Sequence, residues 1–239
     1  VKALVTGASA GIGRAFATAL AEEGFSITAV ARGAEPLAEL MSDLGAGHDY
    51  LAADLSTATG VAETSELLRR GGYSLLVNNA GTAVPGDFAE LPLDAALQTM
   101  DLNCRATVAL AHAFLATARP GSALVNVSST LALSPKPGMS VYSASKAFVT
   151  TFSETLWHEQ KSRGVHVLAL CPGVTATRAQ TAEDVPPWLV RSPEDVVRRA
   201  RKALSDKQGP VVLTSRPDRV LTTALRLLPR RTALNLLAD

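Results

Sequence analysis

KALVTGASAGIGRAFATALAEEG, residues 2–24, is the stretch on which the fold turns. It opens with a short apolar run at 2–6, places glycines at 7, 11 and 13, and continues with apolar residues at helical spacing. Strand, glycine turn and helix in that order read as the first βα unit of a parallel sheet, with the helix N-terminus at the carboxyl end of the strand. Glycines there permit a tight turn, close approach of backbone to phosphate oxygens, and close packing of helix on strand. The spacing is G-x-x-x-G-x-G rather than G-x-G-x-x-G, so an ordinary glycine-rich turn stays open as the alternative.

Outward from this unit the same rhythm recurs. Further strand-like runs lie at 26–31, 49–53, 74–78, 123–127, 166–171 and 210–214, and helical patterns begin near Gly11, Ala34, Thr57, Pro92, Ser140 and Pro193. The alternation predicts an α/β fold: a Rossmann-type doubly wound parallel sheet of about seven strands, with helices on both faces. A chain of 239 residues can bury such a core as one unit, and no repeat or linker divides it, so residues 1–239 are expected to form a single dinucleotide-binding catalytic domain. Two regions break the rhythm. Residues 174–192 hold Pro186 and Pro187 where a short connection would suffice, the usual place of a binding loop. The tail 216–239 is rich in Leu and Arg, with Pro229 interrupting a helical pattern.

A formal net charge of +1, with acids and bases interspersed, leaves no nucleic-acid or membrane footprint on the chain as a whole. A small neutral or anionic partner fits better. The two cysteines, Cys104 and Cys171, lie in apolar segments without metal-ligand spacing and read as buried thiols of a reducing compartment. His48, His112, His158 and His166 are scattered and read as surface or structural, so no metal is expected. Residues 1–6 are too short for a signal-peptide core, and no run approaches the roughly 20 apolar residues of a transmembrane helix. A cytoplasmic protein is expected. Because Val1 stands almost at the first strand, a few residues are expected to precede it.

Cofactor choice is expected at the end of the second strand, where an acid would accept from the ribose 2′-hydroxyl of NAD. Ala31 and Arg32 stand there instead; a guanidinium can pair with a 2′-phosphate and stack on adenine, which favours NADP(H). Glu35 nearby keeps NAD(H) open. Tyr142-Ser-Ala-Ser-Lys146 begins a helical pattern, and its i, i+4 spacing puts phenol and ammonium on one face. An adjacent ammonium favours the phenolate, so Lys146 is expected to lower the tyrosine pKa and make Tyr142 a general acid/base. Ser129 follows the run 123–127, at the sheet end where ligands bind; Ser128 could claim its role, and both could be local caps.

Taken together, Thr6-Gly-x-x-x-Gly-Ile-Gly13, Asn78-Asn-Ala-Gly81, Asn103, Ser129, Tyr142-x-x-x-Lys146 and Pro172-Gly173 resemble the short-chain dehydrogenase/reductase family, NADP(H)-preferring type, over residues 2 to about 214. The resemblance implies Tyr142 as acid/base and Ser129, chosen over Ser128 by its separation from Tyr142, as the group orienting the substrate oxygen. It implies Lys146 on the nicotinamide ribose and Asn103 holding a water of a proton relay. The implied cofactor contacts are Gly7, Ser9, Gly11, Ile12 and Gly13 at the pyrophosphate, Arg32 at the 2′-phosphate, and Asp54 with Leu55 near adenine. Asn79, Ala80 and Gly81 would line the cofactor, Pro172 and Gly173 would contact it, and Val174 with Thr177 would hold the nicotinamide carboxamide. Ala10 is not the basic residue some NADP-using members carry before the second glycine.

Leu131, Met139 and Thr82, placed by neighbouring motifs, suggest an apolar substrate region, and Trp188 in the loop 174–192 could cap it or merely anchor the loop. Trp157 is expected to pack within the Tyr142 helix. The tail reads as an interface or intrachain helix rather than a membrane-surface one, since its polar face lacks dense basic coverage. The whole predicts an oxidoreductase passing a hydride between NADP(H) and a carbonyl or secondary alcohol with an apolar portion, assembled as a homodimer or homotetramer. A non-catalytic nucleotide-binding module and a nucleotide-sugar epimerase or dehydratase are the rivals; glycine spacing and the short tail speak against the latter.

Overall fold

A computed structural model describes residues 1–177 and 186–238. Seven strands, β1 (Lys2–Thr6), β2 (Ser26–Ala31), β3 (Asp49–Ala52), β4 (Tyr73–Asn78), β5 (Ala123–Val127), β6 (His166–Cys171) and β7 (Val211–Leu213), make one parallel sheet in the order β3-β2-β1-β4-β5-β6-β7. The chain runs outward from β1 in one direction and then from β4 in the other. The crevice between their carboxyl ends is where an open sheet of this kind receives a ligand. The expected strands are all present, with β3 and β7 slightly shorter at their ends and β4 starting one residue earlier.

Side chains that alternate along each strand feed two apolar layers. From β1, Ala3 and Val5 face one layer and Leu4 the other. The first layer packs Phe16 and Leu20 of α1 (Gly11–Glu22), Leu37 and Leu40 of α2 (Ala34–Leu44), and Val196 and Ala200 of α7 (Pro193–Ser205). The second packs Leu68 of α3 (Ala58–Arg69), Leu110 and Phe114 of α5 (Thr107–Thr117), and Leu156 of α6 (Ser140–Glu159). Phe16 and Phe114 are fully buried, each worth about 1.5–3 kcal/mol of transfer free energy. Trp157, expected to pack within its own helix, is partly buried against the second layer.

The helical pattern near Pro92 resolves into α4 (Leu93–Met100), a π-helical turn Asp101–Ala106, and α5, following one another without a break. Such turns shift the register of the residues beyond them and often carry functional side chains; Asn103 lies inside this one. The tail forms α8 (Arg216–Leu227) and α9 (Arg230–Leu236), with Pro229 at the corner. Asp218, Thr222 and Leu225 of α8 turn inward, while Val220 and Leu227 are exposed. The α8–α9 corner closes over Leu133, Ser134 and Pro135 around a cavity of about 150 Å³.

Candidate active site

Three loops meet at the crevice. The first is the glycine turn, where Gly7 and Gly11 adopt positive φ (65° and 54°), conformations that side chains rarely take. Gly13 is demanded by space instead: a Cβ there would lie 2.2 Å from the Gly7 carbonyl oxygen. The turn is clipped to the end of β4 by Thr6, whose hydroxyl accepts from the Asn79 and Ala80 amides at 2.9 Å each, and by Asn79 Nδ2, which donates to the Thr6 carbonyl at 2.9 Å. α1 begins at Ala10 with no side-chain cap and no acid in its first turn. Its positive end is therefore presented to an anion without an internal competitor.

The second loop follows β5. Ser128 and Ser129 point in different directions. Ser128 Oγ donates to the Lys146 carbonyl at 2.8 Å and pairs with Thr150 Oγ1 at 2.7 Å, which ties β5 to the backbone of α6. Ser129 Oγ accepts from the Leu131 amide at 3.1 Å and lies near enough to the Tyr142 phenol to favour its ionised form. The structure thus pairs Ser129, not Ser128, with Tyr142. Leu131 and Met139 stand half-buried on either side of the same segment, and Thr82 is half-buried across the crevice.

The third element is α6, which carries Tyr142 and Lys146 one turn apart. Lys146 is buried; its ammonium donates to the Val127 carbonyl at 2.8 Å and lies 5.7 Å from the centroid of the Tyr142 ring. Burial in this site holds its pKa down to about 8, against small opposing effects of the Cys104 and Cys171 thiols. The Tyr142 phenol is shifted upward from its ordinary value: burial raises it, the Ser129 hydrogen bond lowers it by less, and Cys171 adds to the rise. The expected net lowering of the tyrosine pKa is therefore corrected: burial outweighs whatever the neighbouring ammonium contributes. That ammonium is aimed at a backbone carbonyl over the ring face, so desolvation governs the phenol.

Asn103 is held by both of its amide atoms. Oδ1 accepts from the Thr82 amide at 2.9 Å, while Nδ2 donates to the Thr82 carbonyl and to Ser145 Oγ, each at 2.9 Å. Ser145 Oγ in turn donates to the Tyr142 carbonyl at 2.8 Å. Ser145 therefore joins the π-helical turn to the Tyr142 helix. Neither Ser145 nor Thr6 was singled out for this by residue type; for Ser145 the i+3 position after Tyr142 was the available signal. A Cβ on Gly81 would stand 3.1 Å from Asn103 Oδ1 and 3.3 Å from Lys146 Nζ, so Gly81 leaves an open cradle beside the ammonium.

The remaining cofactor candidates surround this cradle. Val174 and Ala176 exchange backbone hydrogen bonds with Arg191, and Thr177 reaches over the glycine turn, its methyl 3.0 Å from where a Cβ on Gly11 would stand. Pro172 accepts from the Thr130 amide at 2.9 Å. Asp54 Oδ1 accepts from the amide and hydroxyl of Ser56 at 2.9 and 2.7 Å, and these bonds together with the nearby Arg32 charge hold its carboxyl below its ordinary value despite partial burial. Arg32 is exposed at the end of β2, Leu55 is buried behind Asp54, and Ser9 and Ile12 are half-buried in the turn. Residues 178–185 of the expected loop 174–192 lie outside the described residues. Trp188, on a single turn Pro187–Leu189, is 63% exposed.

Among the described residues no cluster of His, Cys, Asp or Glu could hold a metal, and no helix is long and apolar enough to cross a membrane. The family model for short chain dehydrogenases matches residues 2–186. The human inactive hydroxysteroid dehydrogenase-like protein 1 is 31% identical over 84% of this chain, which spans 65% of that relative's length. Among solved structures, a short-chain dehydrogenase from Sphingobium yanoikuyae in complex with NADPH superimposes with a TM-score of 0.83 at 27% identity, covering 95% of this chain and 96% of that one. The bulky-bulky ketone specific alcohol dehydrogenase of Comamonas testosteroni gives 0.80 at 27% identity, covering 95% and 94%. With its glycine turn, its Ser129–Tyr142 pair and its buried Lys146 set on this sheet, the chain belongs to the short-chain dehydrogenase family of oxidoreductases.

Proposed function

We propose that this protein is an NADP(H)-dependent carbonyl reductase or secondary-alcohol dehydrogenase in which Tyr142 transfers the proton. The observation that carries the reading is the Ser129 hydroxyl set beside the Tyr142 phenol, with the buried Lys146 ammonium 5.7 Å from the same ring. The residues present fit a dinucleotide: the uncapped start of α1 and the positive-φ glycines suit a pyrophosphate, and the Gly81 cradle leaves room beside Lys146. Gly7, Ser9, Gly11, Ile12 and Gly13 would hold the phosphates, Asn79 to Gly81 and Lys146 the nicotinamide ribose, and Pro172, Gly173, Val174 and Thr177 the nicotinamide. When bound, the nicotinamide supplies or accepts the hydride.

The chain's own groups manage the oxygen. Ser129 Oγ holds the substrate oxygen beside the Tyr142 hydroxyl, and Tyr142 gives its proton to that oxygen as negative charge develops on it. The raised phenol pKa keeps this proton in place at neutral pH, which suits donation in the reductive direction. Lys146, with its ammonium beside the ring, stabilises the phenolate left behind. Asn103 keeps Thr82 and, through Ser145, the first turn of α6 in register with it. Leu131, Met139 and Thr82 give the substrate region an apolar bias. The two structural neighbours, one holding NADPH and one named for ketones, support this reading.

The direct experiment is a screen of apolar ketones and secondary alcohols with NADPH, NADP, NADH and NAD. Turnover with at least one pair supports the reading; nucleotide binding without turnover of any substrate would favour the non-catalytic module, in line with the inactive human relative. Cofactor choice is tested separately. Arg32→Ala is expected to weaken NADPH binding by about 10-fold while leaving NADH within about twofold, since a charge-assisted hydrogen bond to phosphate contributes roughly 1.5–3 kcal/mol. An unchanged ratio of the two affinities removes Arg32 from 2′-phosphate recognition.

A further inference from the structure

We propose that Asp218, in the tail helix α8, is a positioning residue for the Pro172-Gly173 turn and thereby for the nicotinamide-binding side of the site. The proposal rests on the reading above, in which that turn holds the nicotinamide. Its basis is a contact spanning 45 residues of sequence. A Cβ built on Gly173 would stand 2.3 Å from Asp218 Oδ1, 2.7 Å from Cγ and 2.8 Å from Oδ2. All three atoms of the carboxylate lie within contact distance of one point. The carboxylate therefore occupies the space that a side chain at position 173 would fill.

Why glycine stands at 173 follows from this. Gly173 is absent from the positive-φ glycines, so its backbone conformation does not require glycine as those of Gly7 and Gly11 do. What requires it is Asp218. The carboxylate is placed there by burial and by its helix: Asp218 is 5% exposed, its amide donates to Ser215 Oγ at 3.1 Å as part of the α8 cap, and Thr214 Oγ1 makes a long contact of 3.5 Å with its Oδ2. An acid in the first turn of a helix is also favoured by the helix dipole.

The turn is fixed on its other sides by bonds that lead into the site. The Pro172 carbonyl accepts from Thr130, the neighbour of Ser129, at 2.9 Å; the Gly173 carbonyl accepts from Thr175 Oγ1 at 3.1 Å; the Val174 carbonyl accepts from Arg191 at 3.0 Å. A shift of Asp218 is thus transmitted to a turn that is bonded to the Ser129 segment. In this view the tail is part of the cofactor-binding machinery, docked there by a buried carboxylate.

The pairing can be tested with Gly173→Ala, Asp218→Ala, Asp218→Asn and the Gly173→Ala/Asp218→Ala double variant, measuring NADPH affinity by fluorescence, steady-state constants and thermal unfolding. Gly173→Ala is expected to weaken NADPH binding roughly tenfold or more, because it overpacks a filled site. Asp218→Ala is expected to raise KM for NADPH a few-fold, about 3, with KM for the ketone unchanged, and the isosteric Asp218→Asn to restore the wild-type value. The double variant is expected to bind NADPH at least several-fold, roughly 5 times, more tightly than Gly173→Ala alone, because the methyl then enters space the carboxylate has left. Should Gly173→Ala fail to fold, recovery of folding in the double variant carries the same meaning. Additive losses, or a double variant no better than Gly173→Ala, overturn the proposal. Failure of the wild-type protein to bind any nicotinamide nucleotide overturns the functional reading itself, a result distinct from additivity in a protein that binds.

Discussion

Tyr142→Phe is expected to lower the rate of ketone reduction by about 10²–10⁴-fold while leaving NADPH affinity within a factor of about two. The substitution removes one oxygen and keeps the ring, so the packing of α6 and the cation–ring contact with Lys146 at 5.7 Å survive. Ser129 keeps the Leu131 amide at 3.1 Å. Neither the glycine turn nor the Gly81 cradle touches the phenol oxygen, which is why binding should persist when turnover does not. Reduction needs Tyr142 protonated and oxidation needs it deprotonated. With burial holding the phenol above its ordinary value, the oxidation rate should climb into alkaline pH while reduction declines only there. Rates and affinities measured in both directions between neutral and alkaline pH check this. A Tyr142→Phe protein that reduces ketone as fast as the wild type would remove Tyr142 from the proton transfer.

Which parts of this site could be read from residue order, and which could not, follows from the range of the forces involved. The glycine turn was legible because positive φ and close backbone approach select a residue type locally, at Gly7, Gly11 and Gly13. The seven strands were legible because each is a short apolar run bounded by turn residues. Ser128 and Ser129 were both plausible from the run they follow; only the placement of α6 shows that one bonds its backbone and the other stands beside its tyrosine. The π-helical turn around Asn103 was not legible, since Asp101–Ala106 has the composition of ordinary helix and its register depends on the Thr82 and Ser145 partners. Asp218 was likewise hidden, because its partner is a glycine with no side chain to suggest pairing.

The net direction of the Tyr142 shift was the clearest divergence, and the burial behind it leads to the second large expectation: Lys146→Met should abolish activity and yet slightly stabilise the fold. The i, i+4 spacing counted the attraction of ammonium and phenol but not the cost of burying the ammonium, which depends on β5 and α6 closing around it. Its folded pKa of about 8 lies below the ordinary 10.5. The unfolded chain therefore binds the proton more tightly, and the group opposes folding. That opposition is fully present below pH 8, fades between about 8 and 10.5 as the unfolded chain also gives up the proton, and vanishes above. At roughly 1.36 kcal/mol per pH unit of difference, the cost below pH 8 is on the order of 3 kcal/mol. Methionine is of similar volume and forfeits the charge-assisted hydrogen bond to Val127, roughly 1.5–3 kcal/mol, so the net gain is at most about 1.5 kcal/mol. For a chain of this size, that corresponds to a rise of up to roughly 3–6 °C in the unfolding midpoint at pH 7. Thermal unfolding of both proteins across pH 7–10.5 checks it, and the wild-type midpoint should approach that of the variant as pH rises. A variant less stable than the wild type at pH 7, with a gap indifferent to pH, would mean that the ammonium is solvated or paired well enough to cost nothing. Lys146 would then be as much a structural residue as a chemical one.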